Sequence, residues 1–216
     1  FLVLDMRALS EQELALANRQ IDFLEAFFLD IFERRKREPR NDLATALLNA
    51  RDGDSQLSER EMVTVATALF GAGFETTAHM LGNGVLTLDK HPEQWRALVE
   101  DPNLAAMATE EILRFESSLI ATYRTAFNDV EIGGQTVEAG ERVLAVLAAA
   151  NRDPAVFPQP DTFDIQRSGA HHLAFGGGIH FCVGAELARL EGEIALQALA
   201  TRMPNLQVVG VEPQWR

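Results

Sequence analysis

Apolar and polar positions alternate at helical spacing over most of the chain, and two serines mark where long helices begin. SEQE (10–13) and SERE (58–61) both fit a capping box, in which a serine side chain takes a backbone N–H and a glutamate three residues on reaches back. The first opens a helix through IDFLEAFFLDIF to about Arg37, and the second a helix from about Ser58 to Asp89. Between them DLATALLNA, after Asn41, predicts a short helix. His91-Pro92 and Asp101-Pro102 each place proline at a first helical turn, predicting helices over EQWRALVE and over 103–116, which carries AAMATEEILRFES. From about Thr122 the texture changes: TYRTAF, VEIGG, QTVEAG and RVLAVLA alternate or use β-branched residues between turn signals and predict short antiparallel strands. An irregular, proline-punctuated segment from Asn151 to Ala170 follows, and after Cys182 a last helix, AELARLEGEIALQALATRM. With no repeat, low-complexity tract or linker, the chain (1–216) reads as a single domain, mainly α with a small antiparallel β portion.

Composition narrows the class. A chain of 216 residues, 47% apolar, is long enough to bury a substantial core. Its longest apolar run, Val143 to Ala150, is far short of the roughly 20 residues that span a bilayer, and no basic flank or cleavage pattern marks a signal peptide; the expectation is a soluble protein, with no membrane partner. One cysteine makes no internal disulfide, which points to a reducing cytoplasm. A net charge of −13 argues against nucleic acid, which calls for gathered surplus cations. The one basic cluster, ERRKREPR (33–40), sits where cations favour a helix C-terminus.

Three stretches carry chemistry. FGGGIHFCVG (175–184) fences the single cysteine with glycines, so that little side-chain bulk keeps a flat ligand or a metal from the sulfur. The positive end of the helix beginning just after Cys182 favours the thiolate. Read alone, Cys182 suits a small buried hydrophobe better than a ligand. Zinc held by His171, His172, His180 and Cys182 fails on spacing. In ALFGAGFETTAHM (68–80), Gly71 and Gly73 each cost roughly 1 kcal/mol relative to alanine in mid-helix. They open one helix face beside a carboxylate and two hydroxyls, Glu75, Thr76 and Thr77, and a threonine bonding its i−4 carbonyl can loosen such a helix enough to admit water. The plainer reading is close helix packing through small residues. EILR (111–114) places Glu111 and Arg114 on one helix face, a pairing that by itself is usually a surface feature.

Together, AGFETT (72–77), EILR (111–114) and FGGGIHFCVG (175–184), in this order and at these separations, resemble the cytochrome P-450 family of haem-thiolate monooxygenases. They look like its oxygen-activating helix (58–89), its E-x-x-R helix (103–116) and its haem-thiolate loop (175–184). LSEREMV, HPEQWRAL, DPNLAAMATEEILR, GGQTVEAGERV, NRDPAVFPQPDTFDIQR and GAELARLE resemble the soluble bacterial branch. The resemblance covers the later part of that fold, so the expected architecture is N-terminally incomplete and stops before the family's last hairpin.

The resemblance implies roles residue by residue. Cys182 matches the axial thiolate on haem iron, whose electron donation favours O–O cleavage. Phe175 shields the sulfur side of the ring, and Gly176, Gly178 and Gly184 keep the loop close to it. His180 and Arg124 match the residues that bind haem propionates. Ala72 and Gly73 let the helix lie on the distal face, where Glu75 and Thr76 match the acid and alcohol of proton delivery. Glu111 and Arg114 form a structural pair. Two positions depart from the pattern: Ser118 stands where a proline is frequent, and Thr162 where an arginine often completes the Glu–Arg network, leaving Arg152 or Arg167 as replacements. Without C-x-x-C-H, the implied haem b is held non-covalently. The implied activity inserts one oxygen atom of O₂ into a small apolar organic substrate, with Phe70, Ala72, Thr77 and Leu119 to Ala121 as candidate contacts. No flavin or nicotinamide fingerprint is present, so electrons come from a separate ferredoxin or flavodoxin and its reductase. The alternatives are a non-catalytic relative that assists a partner enzyme, or a truncated haem-free fragment acting only as a helical interaction or folding unit.

Overall fold

The structure, a computed structural model, describes residues 10–169 and 171–210. The helices follow their caps. α1 (Glu11–Arg37) starts from a complete capping box on Ser10 and ends in the cationic run Arg34 to Arg37, which complements its C-terminal dipole. Asp42 caps α2 (Leu43–Asn49) through the Thr45 amide. α3 (Glu59–Lys90) follows Ser58, which exchanges bonds with Glu61 in the second capping box. α4 (Pro92–Glu100) has proline in its first turn. The fifth predicted helix opens as a 3₁₀ turn at Pro102–Leu104 and continues as α5 (Ala105–Phe115). β1 (Ala121–Thr125) pairs antiparallel with β4 (Arg142–Val146), and β2 (Val130–Ile132) with β3 (Gln135–Val137), giving two two-stranded sheets. The strand predicted over RVLAVLA ends at Val146, where the chain turns into a single helical turn, α6 (Leu147–Ala150). Alanine-rich sequence follows the last β-branched residue, so propensity changes sign there. α7 (Ala185–Arg202) closes the described chain.

The chain divides into two compact units between Glu75 and Thr76. In the first, Phe32, Met62, Val63 and Ala66 form a small core flanked by Phe28, Leu47 and Leu57. In the second, the end of α3 joins α4, α5, α7 and the irregular segment around Met80, Leu88, Leu98, Ala108, Ile112, Phe163, Ile165 and Leu196. α5 is the most enclosed element; Glu111 and Arg114 are 3% and 2% exposed. α7 approaches it through Gly192, where a methyl group would stand 2.5 Å from Thr109 Cγ2 and 3.1 Å from Met80 Cε. Thr109 has no room to yield, since it is buried and its hydroxyl donates to Ala105 O at 2.8 Å.

The irregular segment from Asn151 to Arg167 lies against α5 with few backbone partners of its own, and arginines supply what a ladder would. Arg114 holds the Glu111 carboxylate with two bonds of 2.8 Å and donates to the carbonyls of Asn151, Pro160 and Thr162. The Glu111 carboxylate also accepts from the Asp164 amide at 2.9 Å and Arg167 Nε at 3.2 Å. Arg167, and not Arg152, therefore completes the Glu–Arg network. Arg152 instead binds Asp161 and the Phe115 carbonyl.

Two outcomes follow from this packing. Gly192→Ala, which in an open helix would stabilise by about 1 kcal/mol, should lower stability by about 1–3 kcal/mol through overpacking against Thr109; a urea midpoint above that of the unsubstituted chain would contradict it. Arg114→Met leaves three carbonyls without this donor and should cost about 3–5 kcal/mol or prevent folding, which chemical denaturation measures.

Candidate active site

The cysteine loop is shaped by backbone conformation. Gly176 and Gly178 sit at φ +69° and +63°, in the left-handed region that side chains disfavour. Between them and Cys182 the chain makes a 3₁₀ turn, Gly178–His180, and the Cys182 amide then donates to Phe175 O at 3.0 Å, closing the loop. The Cys182 carbonyl accepts from the Ala185 amide, and α7 begins at Ala185, where the sequence places the start of the last helix. Gly184 is the N-cap; a methyl group there would meet Cys182 Sγ at 3.9 Å. Cys182 is exposed, as are its apolar neighbours Ile179 (98%), Phe181 and Val183 (86%). It is not the inert buried cysteine that a lone thiol suggests, and among the described residues no cluster of His, Cys, Asp or Glu could hold a metal, which removes the zinc alternative there.

The loop fits a flat apolar group with a metal at its centre: one soft sulfur donor belongs to an exposed residue, the surrounding exposed side chains are largely apolar, and side-chain positions at Gly177 and Gly178 face open space. Of the predicted site residues, Phe175, Gly176, Gly178, His180, Cys182 and Gly184 are brought together in this one loop. Arg124 is exposed on β1, its guanidinium donating to Thr122 Oγ1 and Tyr123 O. Thr76 lies in the same compact unit as the loop; Ala72, Gly73 and Glu75 lie in the other. α3 is helical without interruption through Gly71 and Gly73. Among the described residues nothing stands within 4 Å of a side-chain position at either glycine, so close packing against a neighbouring helix is not what they provide. One turn on, Thr77 Oγ1 donates to Glu191 Oε2 of α7 at 3.1 Å, and Met80 packs at Gly192. The helix bearing Thr76 and the helix that follows Cys182 thus share one packed core.

Beneath the loop lies a second polar cluster that sequence reading did not find. Glu110 accepts from Arg189 Nε of α7 at 2.7 Å, and its Oε2 lies 3.2 Å from Nε2 of the buried His172 without hydrogen-bond alignment. Burial raises the Glu110 carboxyl, but His172 and Arg189 beside it outweigh burial and hold it down at about 2. The Arg189 guanidinium, 4.8 Å from the ring centre, stacks on Phe175, whose ring also meets those of His172 at 5.7 Å and Phe181 at 6.3 Å. Asn151, fully buried, accepts from the Leu173 amide at 2.6 Å and donates to Ser117, tying the start of the loop to α5. The only sequence signal for the Glu110 cluster is the doubled acid Glu110-Glu111, which a surface helix would also show.

A protein-family model described as Cytochrome P450 matches residues 5–202. The chain is 45% identical over 191 residues to the biotin biosynthesis cytochrome P450 of Bacillus subtilis, an alignment covering 88% of this chain and 48% of that protein. It is 44% identical over 198 residues to the vitamin D(3) 25-hydroxylase of Pseudonocardia autotrophica, covering 90% and 49%. Among solved structures, P450BioI in complex with an acyl carrier protein ligated to hexadec-9Z-enoic acid superposes with a TM-score of 0.89 at 42% identity, over 97% of this chain and 53% of that one. The chain spans about half the length of the relatives it matches. On the matched residues, the identity and the shared fold, the chain belongs to the cytochrome P450 family.

Proposed function

We propose that the protein carrying this sequence is a haem-thiolate monooxygenase, converting RH, O₂, two electrons and two protons to ROH and water. The observation that carries this reading is the exposed Cys182, set in a loop closed by Phe175 O and followed at once by α7, which packs on the helix that bears Thr76. Haem b, bound without covalent attachment, would supply oxygen activation at its iron. Cys182 would hold the iron through its sulfur, Phe175 would shield that sulfur from water, and Gly176, Gly178 and Gly184 would keep side-chain bulk out of the way. His180 and Arg124, both exposed cation-forming side chains, orient the two propionates. Ala72 and Gly73 would set little side-chain bulk against the group. There Glu75 relays protons from solvent and the Thr76 hydroxyl hands them on.

The substrate is a small apolar organic molecule. Exposed Phe70 on α3 and exposed Ile120 before β1 supply apolar surface for it, as Ala72, Thr77, Leu119 and Ala121 do beside them. Electrons come from a separate ferredoxin or flavodoxin with its reductase. The protein acts in the cytoplasm, with no nucleic-acid or membrane partner, the reading that its single cysteine and net charge of −13 support.

Cys182→Ala should abolish the strongly red-shifted Soret band of the ferrous–CO complex in haem-loaded protein. Survival of that band would overturn the ligand assignment. Thr76→Ala should lower the fraction of electrons recovered in product by about tenfold, diverting them to hydrogen peroxide; equal coupling in both proteins would remove the role given to Thr76.

A further inference from the structure

Glu110 and Glu111 are consecutive on α5, so their side chains leave the helix about 100° apart. Glu111 turns to Arg114, Arg167 and the Asp164 amide, and holds the irregular segment. Glu110 turns to different partners, Arg189 and His172, which flank the ring of Phe175. His172 is held at one end, where Nδ1 accepts from the Ala174 amide at 3.1 Å, which leaves Nε2 as the protonated nitrogen of the neutral ring, 3.2 Å from Glu110 Oε2 with no other partner among the described residues. Arg189 is fixed likewise, its Nη1 donating to Glu186 on its own helix at 2.8 Å. Phe175 is linked to the cysteine twice, by its carbonyl to the Cys182 amide and by its ring to that of Phe181, the residue before the cysteine.

We propose that Glu110 is a positioning residue for the cysteine loop: it anchors His172 and Arg189, which clamp the Phe175 ring, and Phe175 in turn fixes the backbone that carries Cys182. Glu110 touches neither sulfur nor substrate. Its carboxylate, ionised through the neutral range, gives the clamp a permanent charge on the α5 side. Breaking it frees the Arg189 guanidinium from the ring face and releases the ring's hold on the loop. For the sulfur's role as a ligand the inference rests on the function proposed above; for the backbone it stands alone.

The test uses Glu110→Gln, Glu110→Ala and Arg189→Met in the full chain, with amide hydrogen exchange followed by NMR. The Cys182 amide, bonded to Phe175 O, should exchange about tenfold faster in Glu110→Ala and Arg189→Met and less so in Glu110→Gln, while the Asp164 amide, bonded to Glu111, keeps its protection. In haem-loaded protein the same variants should raise the share of ferrous–CO complex lacking the red-shifted band. Phe175→Leu should do the same, and combining it with Glu110→Ala should add nothing further. Unchanged Cys182 protection in a folded variant, equal loss of protection at Cys182 and Asp164, or additive spectral effects would each overturn the proposal. If Glu110→Ala does not fold, Arg189→Met, which keeps the acid in place, carries the same comparison. Faster Cys182 exchange together with a red-shifted band that persists in Cys182→Ala would keep the clamp and reject the ligand assignment instead.

Discussion

Backbone carbonyls that no helix or strand can satisfy are the constraint around which the second unit is built. The segment from Asn151 to Arg167 crosses the core without forming a ladder, yet Phe157, Phe163 and Ile165 along it are buried. Buried carbonyls demand donors. Arg114 spends its donors on three of them and on Glu111, and Arg167 supplies the carbonyls of Pro158, Gln159 and Thr162. Apolar residues of equal volume could fill the space that this pair of ions occupies, and for stability alone the exchange can be neutral or better. They could not hold the carbonyls. The charges are kept because the segment they organise leads directly into the cysteine loop, through Asn151 and the Leu173 amide.

Helix packing sets where that loop stands. Through Glu110, α5 reaches His172 ahead of the loop and Arg189 of α7; it meets the irregular segment with Glu111 and Arg114, α7 at Gly192 and α3 at Gly84, where a methyl group would stand 2.9 Å from Ile112 Cδ1. Because α7 starts three residues after Cys182, any shift of α7 against α5 moves the end of the loop. Gly192 sets that distance by leaving nothing to hold the helices apart. A loop stripped of bulk has little rigidity of its own; its position is inherited from the helices on which it is mounted.

Most of this was legible where physics is local. Ser10 and Ser58 announce their helices because a capping box is written within four residues, whereas the switch of RVLAVLA from strand to helix is hidden because the helical part is a single turn, too short for its alanines to show a helical period. The EILR pair looked like a surface feature; spacing gives a shared face but not its burial. Likewise, nothing in the chain order separates Arg152 from Arg167 as partner to Glu111, since the choice depends on how an irregular segment folds back. His172 drew notice as a potential metal ligand, and its real neighbours, Glu110 and Arg189, are 62 and 17 residues away in sequence. Contacts of that kind carry no local signature.

The glycines of the long helix show how one residue type serves opposite ends. Gly84 and Gly192 have neighbours pressed to the very point where a side chain would grow, so their helix cost, about 1 kcal/mol each, is offset by close packing of apolar surface. Gly71 and Gly73 carry the same cost with nothing near. No packing gain among the described residues offsets it. They sit within five residues of Glu75 and Thr76, on a helix that remains regular through them. The contrast lies in what each position meets: at Gly84 and Gly192 a side chain would run into a neighbour's, whereas at Gly71 and Gly73, as at Gly82, it would meet nothing among the described residues, so packing explains the first pair and not the others.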